Sequence, residues 1–249
     1  AGTNTNWQDN VFVNNAFTTS QTVSVSGGND KSSFYLSLNY ADSRGIIRSN
    51  KNTSYRIRNN FDVQATKWLK IGNNLSVSRQ NDFDQNNSTN GLSGAIVGAI
   101  RALPNVGIYS KTHATGYNLL PGGNALGQGA NLRSIDDNYT NIAFVLDNNR
   151  YQSDKYRILE NVYGEVSLLK GLKYTTKLGV DYFTDNSSQI LDPRHGDGFG
   201  SNGVIYQGQQ NILQTDIQNY LNYNFSVRNH NFSLTAGHEL IQKTSRYFT

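Results

Sequence analysis

Residues 19–42, TSQTVSVSGGNDKSSFYLSLNYAD, decide the fold. Val23 and Val25 alternate with Thr22, Ser24 and Ser26. Further on, Phe34, Leu36, Leu38 and Tyr40 alternate with Ser33, Tyr35, Ser37 and Asn39. A period of two sends the two sets to opposite faces of a strand and leaves no helical reading. Gly27-Gly28-Asn29-Asp30, between the arms, supplies the left-handed backbone expected of a tight reversal. The stretch reads as a β-hairpin with arms of about ten residues, where strands of soluble proteins usually stop at about 5–6. A strand tilted through a bilayer needs about 9–11, so the length leans toward a membrane.

The pattern recurs outward from this hairpin. Over residues 53–65, Tyr55, Ile57, Phe61 and Val63 oppose Arg56, Arg58, Asn60, Asp62 and Gln64; over 69–80, Leu69, Ile71, Leu75 and Val77 oppose Lys70, Asn74, Ser76 and Ser78. Trp68 sits at the turn between them, where an interfacial aromatic is expected. Alternation returns over 155–169 and 172–184 about a Lys170-Gly171 turn, and again in a last hairpin that reverses at Arg228-Asn229-His230. About eight strands result. Their connections run short, medium (43–52), short, very long (81–154), short, long (185–210) and short. Alternate strand ends share a side, so every short turn falls on one side and every long loop on the other, the asymmetry of outer-membrane barrels. The expected fold class is all-β: an antiparallel transmembrane β-barrel segment with short periplasmic turns and long extracellular loops. A complete small barrel with a structural or adhesive role, or a soluble β-rich adhesin, would alternate in the same way.

Composition is compatible with this reading. A hydrophobic content of 36% and a mean hydropathy of −0.58 are low for a helical membrane protein. A barrel, however, shows lipid only every second residue. No run approaches the eighteen or so apolar residues of a spanning helix. Absence of cysteine removes disulfide and thiolate chemistry, and four scattered histidines do not suggest zinc. Lys and Arg are dispersed and the net charge is only +4, so nucleic-acid binding has no footprint. The chain contains no methionine, and AGTNTNW has no signal-peptide pattern, which suggests a processed or partial piece of something longer. Residues 1–18 read as a lead-in carrying Trp7 and Phe12.

Within 81–154, Leu92, Ala95, Ile96, Ala99, Ile100 and Leu103 fall at helical spacing before Pro104, predicting a short amphipathic helix ended by the proline, with Gly94 and Gly98 allowing it to pack inside a folded loop. Several motifs fail on context. Gly198, Gly200 and Gly203 satisfy GxGxxG without the strand before and helix after that the dinucleotide motif needs. His238-Glu239 begins HELIQ, but Gln242 stands where a second zinc-ligating histidine is required. Asp82, Asp84 and Asn86 imitate a calcium loop whose glycine position holds Asn87 and whose closing glutamate position holds Ser93, leaving at most an irregular calcium site. No catalytic constellation, metal site or cofactor is expected, and no enzyme activity.

Two loop clusters are candidates for contact with a substrate or a docking partner. Asp192, Arg194, His195 and Asp197 form the densest charged knot, which reads equally as a salt-bridged loop. Arg101, Asn105, Tyr109, Asp136, Asp137 and Tyr139 form the second; tyrosine rings stack and asparagine amides hydrogen-bond, which suits sugars or peptides.

Trp7-Gln8-Asp9 leading into SVSGGNDKSSFYLSLNYADSRGII, the turn and strand TKWLKIGNNLSVS, and NVYGEVSLLKGLKYTTKLGVDY together resemble the SusC/RagA family of TonB-linked outer-membrane transporters of Bacteroidota. The resemblance implies a large barrel with a plug in its lumen, energised import of oligosaccharides or peptides, and a SusD-like surface lipoprotein capping the outside. The plug, the segment that engages the TonB complex and further strands have no counterpart in this sequence, so import would need more than this piece. Barrels of twenty-two strands hold a plugged lumen, and about eight would supply part of that wall.

Overall fold

A computed structural model describes residues 3–83, 90–129 and 139–249. Eight strands follow one another in a single antiparallel sheet in chain order: β1 (Thr18–Asn29), β2 (Ser32–Arg44), β3 (Lys51–Gln64), β4 (Leu69–Phe83), β5 (Arg150–Leu169), β6 (Leu172–Leu191), β7 (Val204–Val227) and β8 (His230–Phe248). Each strand pairs with its sequence neighbour, and the sheet is open, because β1 and β8 are not paired to each other. The short reversals at 30–31, 65–68, 170–171 and 228–229 lie at one end, and the connections 45–50, 84–149 and 192–203 lie at the other.

Register explains why the alternation is so regular. Val23, Leu38, Ile57, Val77, Ile158, Tyr182 and Leu213 stand opposite one another in one row across seven strands. Phe34, Phe61, Val162, Leu178, Ile217 and Leu240 belong to a second row on the same face. The opposite face carries Ser37, Arg58, Ser76 and Asp181. A slip of one residue between any pair would mix the two sets. The apolar face is interrupted by Asn59, Asn73 and Glu160, with Asn73 Nδ2 donating to Glu160 Oε1 at 3.3 Å.

The strands are longer than the alternation suggests. β5 and β6 have 20 residues each and β7 has 24. Consequently the loops expected at 81–154 and 185–210 shrink to 84–149 and 192–203, and that expected at 43–52 to 45–50. The added lengths lose the alternation: polar side chains occur on both faces, and the apolar pairs Ile190–Ile205 and Leu191–Val204 fall on opposite faces. Lys155 Nζ lies 2.8 Å from Asp82 Oδ2, Arg79 grips Asp154 at 3.0 and 2.9 Å, and Ser153 donates to Asp185 at 2.6 Å. Backbone pairing persists where apolar alternation has stopped, so hydropathy loses sight of it.

The first hairpin also turns differently. Gly27 and Gly28 remain in β1, opposite Phe34 and Ser33, and the reversal is Asp30-Lys31. No positive φ occurs there; Asn29 Oδ1 instead accepts the N–H groups of Lys31 and Ser32 at 2.8 and 3.0 Å, an Asx turn that needs no glycine. Gly28 serves close approach, since a Cβ on it would stand 2.5 Å from the Ser32 carbonyl. Left-handed backbone is used at Gly171 and Arg228.

At the long-loop end, three short helices share a core: α1 (Trp7–Val11), α2 (Ala95–Arg101) and α3 (Ile142–Asn148). Trp7, Val11, Ile47, Ala95, Ala99, Val106, Leu126, Ile142, Val145 and Leu146 are buried together. The segment expected to be a lead-in is thus part of this cap: Trp7 Nε1 donates to the Leu103 carbonyl at 3.1 Å and the Thr5 N–H to that of Pro104 at 2.7 Å. α2 is where periodicity predicts it and ends three residues before Pro104, whose ring disfavours helical backbone at Leu103. Its packed stripe is nevertheless the small one. Ala95 and Ala99 are buried, whereas Ile96, Ile100 and Leu103 are 37%, 67% and 43% exposed. Gly98 sets this geometry, because a Cβ there would lie 2.7 Å from Ile142. Gly98→Val is therefore expected to destabilise the cap by about 1–3 kcal/mol through overpacking, measured as faster proteolysis of the 84–149 connection; unchanged protection would refute the α2–α3 contact.

Candidate functional site

The cap is organised by Asn141 and His195. Asn141 caps α3, its Oδ1 accepting the Phe144 N–H at 3.2 Å, while its Nδ2 donates to the Ile108 carbonyl at 2.7 Å. Its own N–H donates to Nε2 of His195 at 2.7 Å. His195 is fully buried, with its ring edge-on to Phe144 at 5.5 Å. Burial pushes its pKa down to about 4, with His113 adding to the effect, so the ring is neutral at pH 7. A neutral ring accepting at Nε2 carries its proton on Nδ1, which has no partner among the described residues.

The rest of the charged knot clamps neighbouring segments. Arg194 holds Asp192 through Nε and Nη2 at 2.8 and 2.7 Å, reaches Asn148 Oδ1 at 3.1 Å and lies over the Phe144 ring at 5.3 Å. That guanidinium keeps the Asp192 carboxyl below the usual carboxylate range. Asp197 accepts from Asn90 Nδ2 at 2.9 Å and from Ser93 Oγ. All four residues thus join the 192–203 connection to the segments around α2 and α3.

Protonation of His195 has a definite sign. Its folded pKa of about 4 lies below its usual 6.5, so the unfolded chain binds the proton more readily. Stability is then fully present above about pH 6.5 and falls as pH drops toward 4, by about 3 kcal/mol at most. Asp192, with its lowered pKa, adds a loss only further into acid. Hydrogen exchange of the 141–148 amides should accelerate between pH 6.5 and 4 after correction for the intrinsic rate, and His195→Gln should flatten this dependence. An identical pH profile in the variant would show that another group governs it.

The second cluster is divided. Arg101 lies over Tyr139 at 4.4 Å. Asn105 is half-buried beside Gly129. Tyr109 is exposed and pairs with Tyr117 at 5.4 Å between ring centroids. Tyr117 donates to Asp147 Oδ2 at 2.6 Å, and burial together with that carboxylate pushes its phenol up to about 12. Asp136 and Asp137 lie outside the described residues, as do Asp84 and Asn86 of the calcium-like motif. The outward surface of the cap therefore carries Arg101 and Tyr109 beside Ile96, Ile100 and Leu103.

Sequence reading misses a groove on the polar face of the sheet just below the cap. It has a volume of about 510 Å³ and is lined by Asn52, Asp82, Tyr151, Lys155, Ser187 and Tyr206 among others. The Asp82–Lys155 pair balances its charge, and amides, hydroxyls and phenols make up much of the remainder. The missed signal is register: these residues lie on strand ends where hydropathy shows no alternation.

No family model matches the sequence. Among curated proteins, TonB-dependent receptor P3 of Formosa agariphila is 30% identical over 239 residues, an alignment covering 94% of this chain and 22% of that protein. Over nearly its whole length the chain is similar to part of a TonB-dependent receptor. TonB-dependent receptor P26 of the same organism is 33% identical over 89 residues, covering 36% of this chain and 8% of its own length. Solved structures agree on the fold. The RagAB peptide importer in its closed-closed state superposes with a TM-score of 0.70 at 21% identity over 99% of this chain and 28% of that one; the RagAB peptide transporter gives 0.69 at 20% over 98% and 27%. The open antiparallel sheet thus has the fold of an outer-membrane barrel wall, and the curated proteins it aligns with are receptors. It spans about a fifth of the length of the P3 relative.

Proposed function

We propose that the chain forms wall and outer cap of a TonB-dependent importer of oligosaccharides or peptides, and that the cap also seats a SusD-like surface lipoprotein. The apolar rows lie against lipid, the polar face lines the lumen, and the cap stands on the extracellular side. One observation carries the reading: described residues of 3–17, 45–50 and 84–149 share one core at the end of the sheet opposite the short turns, and the 192–203 connection is tied to that cap through His195 and Asp197. Names of relatives support it, since the aligned proteins are TonB-dependent receptors and the structural neighbours are peptide importers. The open edges of β1 and β8 favour a wall within a larger barrel over a self-closed eight-stranded barrel. Coupling to the TonB complex would use parts of the protein beyond these residues.

Because Asp192, His195 and Asp197 are engaged within the cap, contact with a ligand or lipoprotein falls to the exposed residues Arg101, Tyr109, Ile96, Ile100 and Leu103 and to the exposed side of Arg194. Deleting the whole 84–149 connection would destroy the core, so point changes are the better test. In the full-length receptor, Ile100→Asp with Leu103→Asp is expected to abolish lipoprotein co-purification if this face is the docking surface. Tyr109→Ala is expected to lower ligand uptake with the complex intact. Retention of both functions in both variants would remove the cap from the site.

A further inference from the structure

Among the described residues, every cation on the polar face of β2 to β7 has a partner except Arg56 and Arg58, while Asp185 and Asp216 accept from Ser153 and Gln218 and meet no cation. Lys70 meets Asp62 at 3.7 Å, Lys155 meets Asp82 at 2.8 Å, Arg157 meets Asp181 at 2.6 Å and Lys173 meets Glu165 at 2.7 Å, while Lys177 lies over Tyr220. Arg56 and Arg58 have no ion pair, hydrogen bond or ring contact among the described residues, and both are exposed. They are neighbours on one face of β3, two residues and roughly 7 Å apart along the strand. Their directly opposite residues are Asn39 and Ser78 for Arg56, and Ser37 and Ser76 for Arg58. The diagonal positions Tyr35, Ala41, Asn74 and Gln80 are also uncharged. The carboxylates nearest in register are committed: Asp62 to Lys70 and Tyr163, Asp181 to both nitrogens of the Arg157 fork.

Two like charges side by side repel, and nothing in the sheet relieves them. A guanidinium presents donors in a planar fork that matches carboxylate and sulfate oxygens in pairs. Ser37, Ser76 and Ser78 add hydroxyls beside the two forks. The patch also continues an existing path. Asn52, in the wall of the 510 Å³ groove, is on the same face of β3 four residues before Arg56. A molecule leaving the charge-balanced groove toward the short-turn end meets the arginine pair next.

We infer that Arg56 and Arg58 form an oxyanion-selecting step on the inner wall, and that the imported molecule carries carboxylate or sulfate groups. The inference rests on the importer reading and deepens it. Acidic peptides and acidic oligosaccharides share this chemistry. The purified full-length receptor is titrated with fluorescent oligoglutamate, with oligogalacturonate, with a sulfated oligosaccharide and with neutral counterparts of each, and the same probes are followed for energised uptake into cells. Wild-type receptor is expected to prefer at least one acidic probe, whose identity distinguishes peptide from sugar and carboxylate from sulfate. Arg56→Gln with Arg58→Gln is expected to weaken that binding by about tenfold or more and to remove its salt dependence, with the neutral probe unaffected. Arg56→Lys with Arg58→Lys should retain part of the preference. Equal binding of acidic and neutral probes by wild type, or unchanged acidic binding in the Gln variant, overturns the inference. So does a Gln variant that leaks bulky antibiotics and is cleaved faster by trypsin without any ligand, because the pair would then be holding a lumen-filling segment. Failure of the importer reading is separate: it would appear as absence of energised uptake of every probe, while binding still decides the role of the arginines.

Discussion

Ile158→Arg is expected to cost about 2–4 kcal/mol of folding free energy in a bilayer, because it sets a cation near the middle of the lipid-facing row. Ile158 lies between Val77 and Tyr182, with Ile57 and Leu213 one strand further on either side. That row holds no acid, and the nearest carboxylate on the same face, Glu160 two residues along β5, already accepts from Asn73, so a double variant with Glu160→Gln isolates the cost of the cation. The matched control is Asn161→Arg, on the opposite face of the same strand between Asn74 and Gly179, where water in the lumen would solvate the guanidinium. Folding of the full-length receptor into lipid vesicles, followed by heat-modifiable electrophoretic mobility across a denaturant series, should separate the two variants. Equal midpoints for Ile158→Arg and Asn161→Arg would mean that the two faces do not meet different solvents.

Phe144→Ala should have an effect as large but confined to the cap. The ring is fully buried, edge-on to both Tyr117 and His195, and supports the Arg194 guanidinium. Removal of a buried phenylalanine typically costs about 3–5 kcal/mol, and here it also leaves Arg194 and His195 without their packing partner. The expected result is loss of protection in 139–149 and 192–203 together, seen by hydrogen exchange, with the β2–β7 amides unchanged. Protection lost throughout the sheet would show that cap and wall form one cooperative unit.

The sheet was legible in the sequence because one of its faces is apolar and the other polar. Leu36, Leu38, Ile57, Val77 and Val180 show this period of two, and register confirms their common face. The upper strand segments were illegible for the complementary reason. Asn81, Asp82, Ser153 and Ser187 are held by backbone pairing and cross-strand polar contacts, with no apolar side to report it. In the cap, the helix at Ala95–Arg101 was readable but its orientation was not. Hydropathy ranks Ile100 above Ala99 as a core residue, whereas close helix approach at Gly98 selects the small side chain. The charged knot was readable as a group of residues; its roles needed geometry, since nothing in the order Asp192, Arg194, His195, Asp197 foretells that the histidine accepts from the Asn141 backbone.

Accessibility of paired sites to lipid-soluble and water-soluble relaxation agents tests the central claim most directly. Single spin labels would be placed at Leu38, Ile57, Val77 and Ile158 on one face, and at Ser37, Ser76, Ser78 and Asp181 on the other, in the full-length receptor reconstituted in bilayers. The wall reading predicts oxygen-dominated relaxation at the first set and relaxation by a water-soluble nickel chelate, or protection from both agents by packed protein, at the second. Oxygen-dominated relaxation at both sets, or chelate access at Ile57 and Val77, would contradict it.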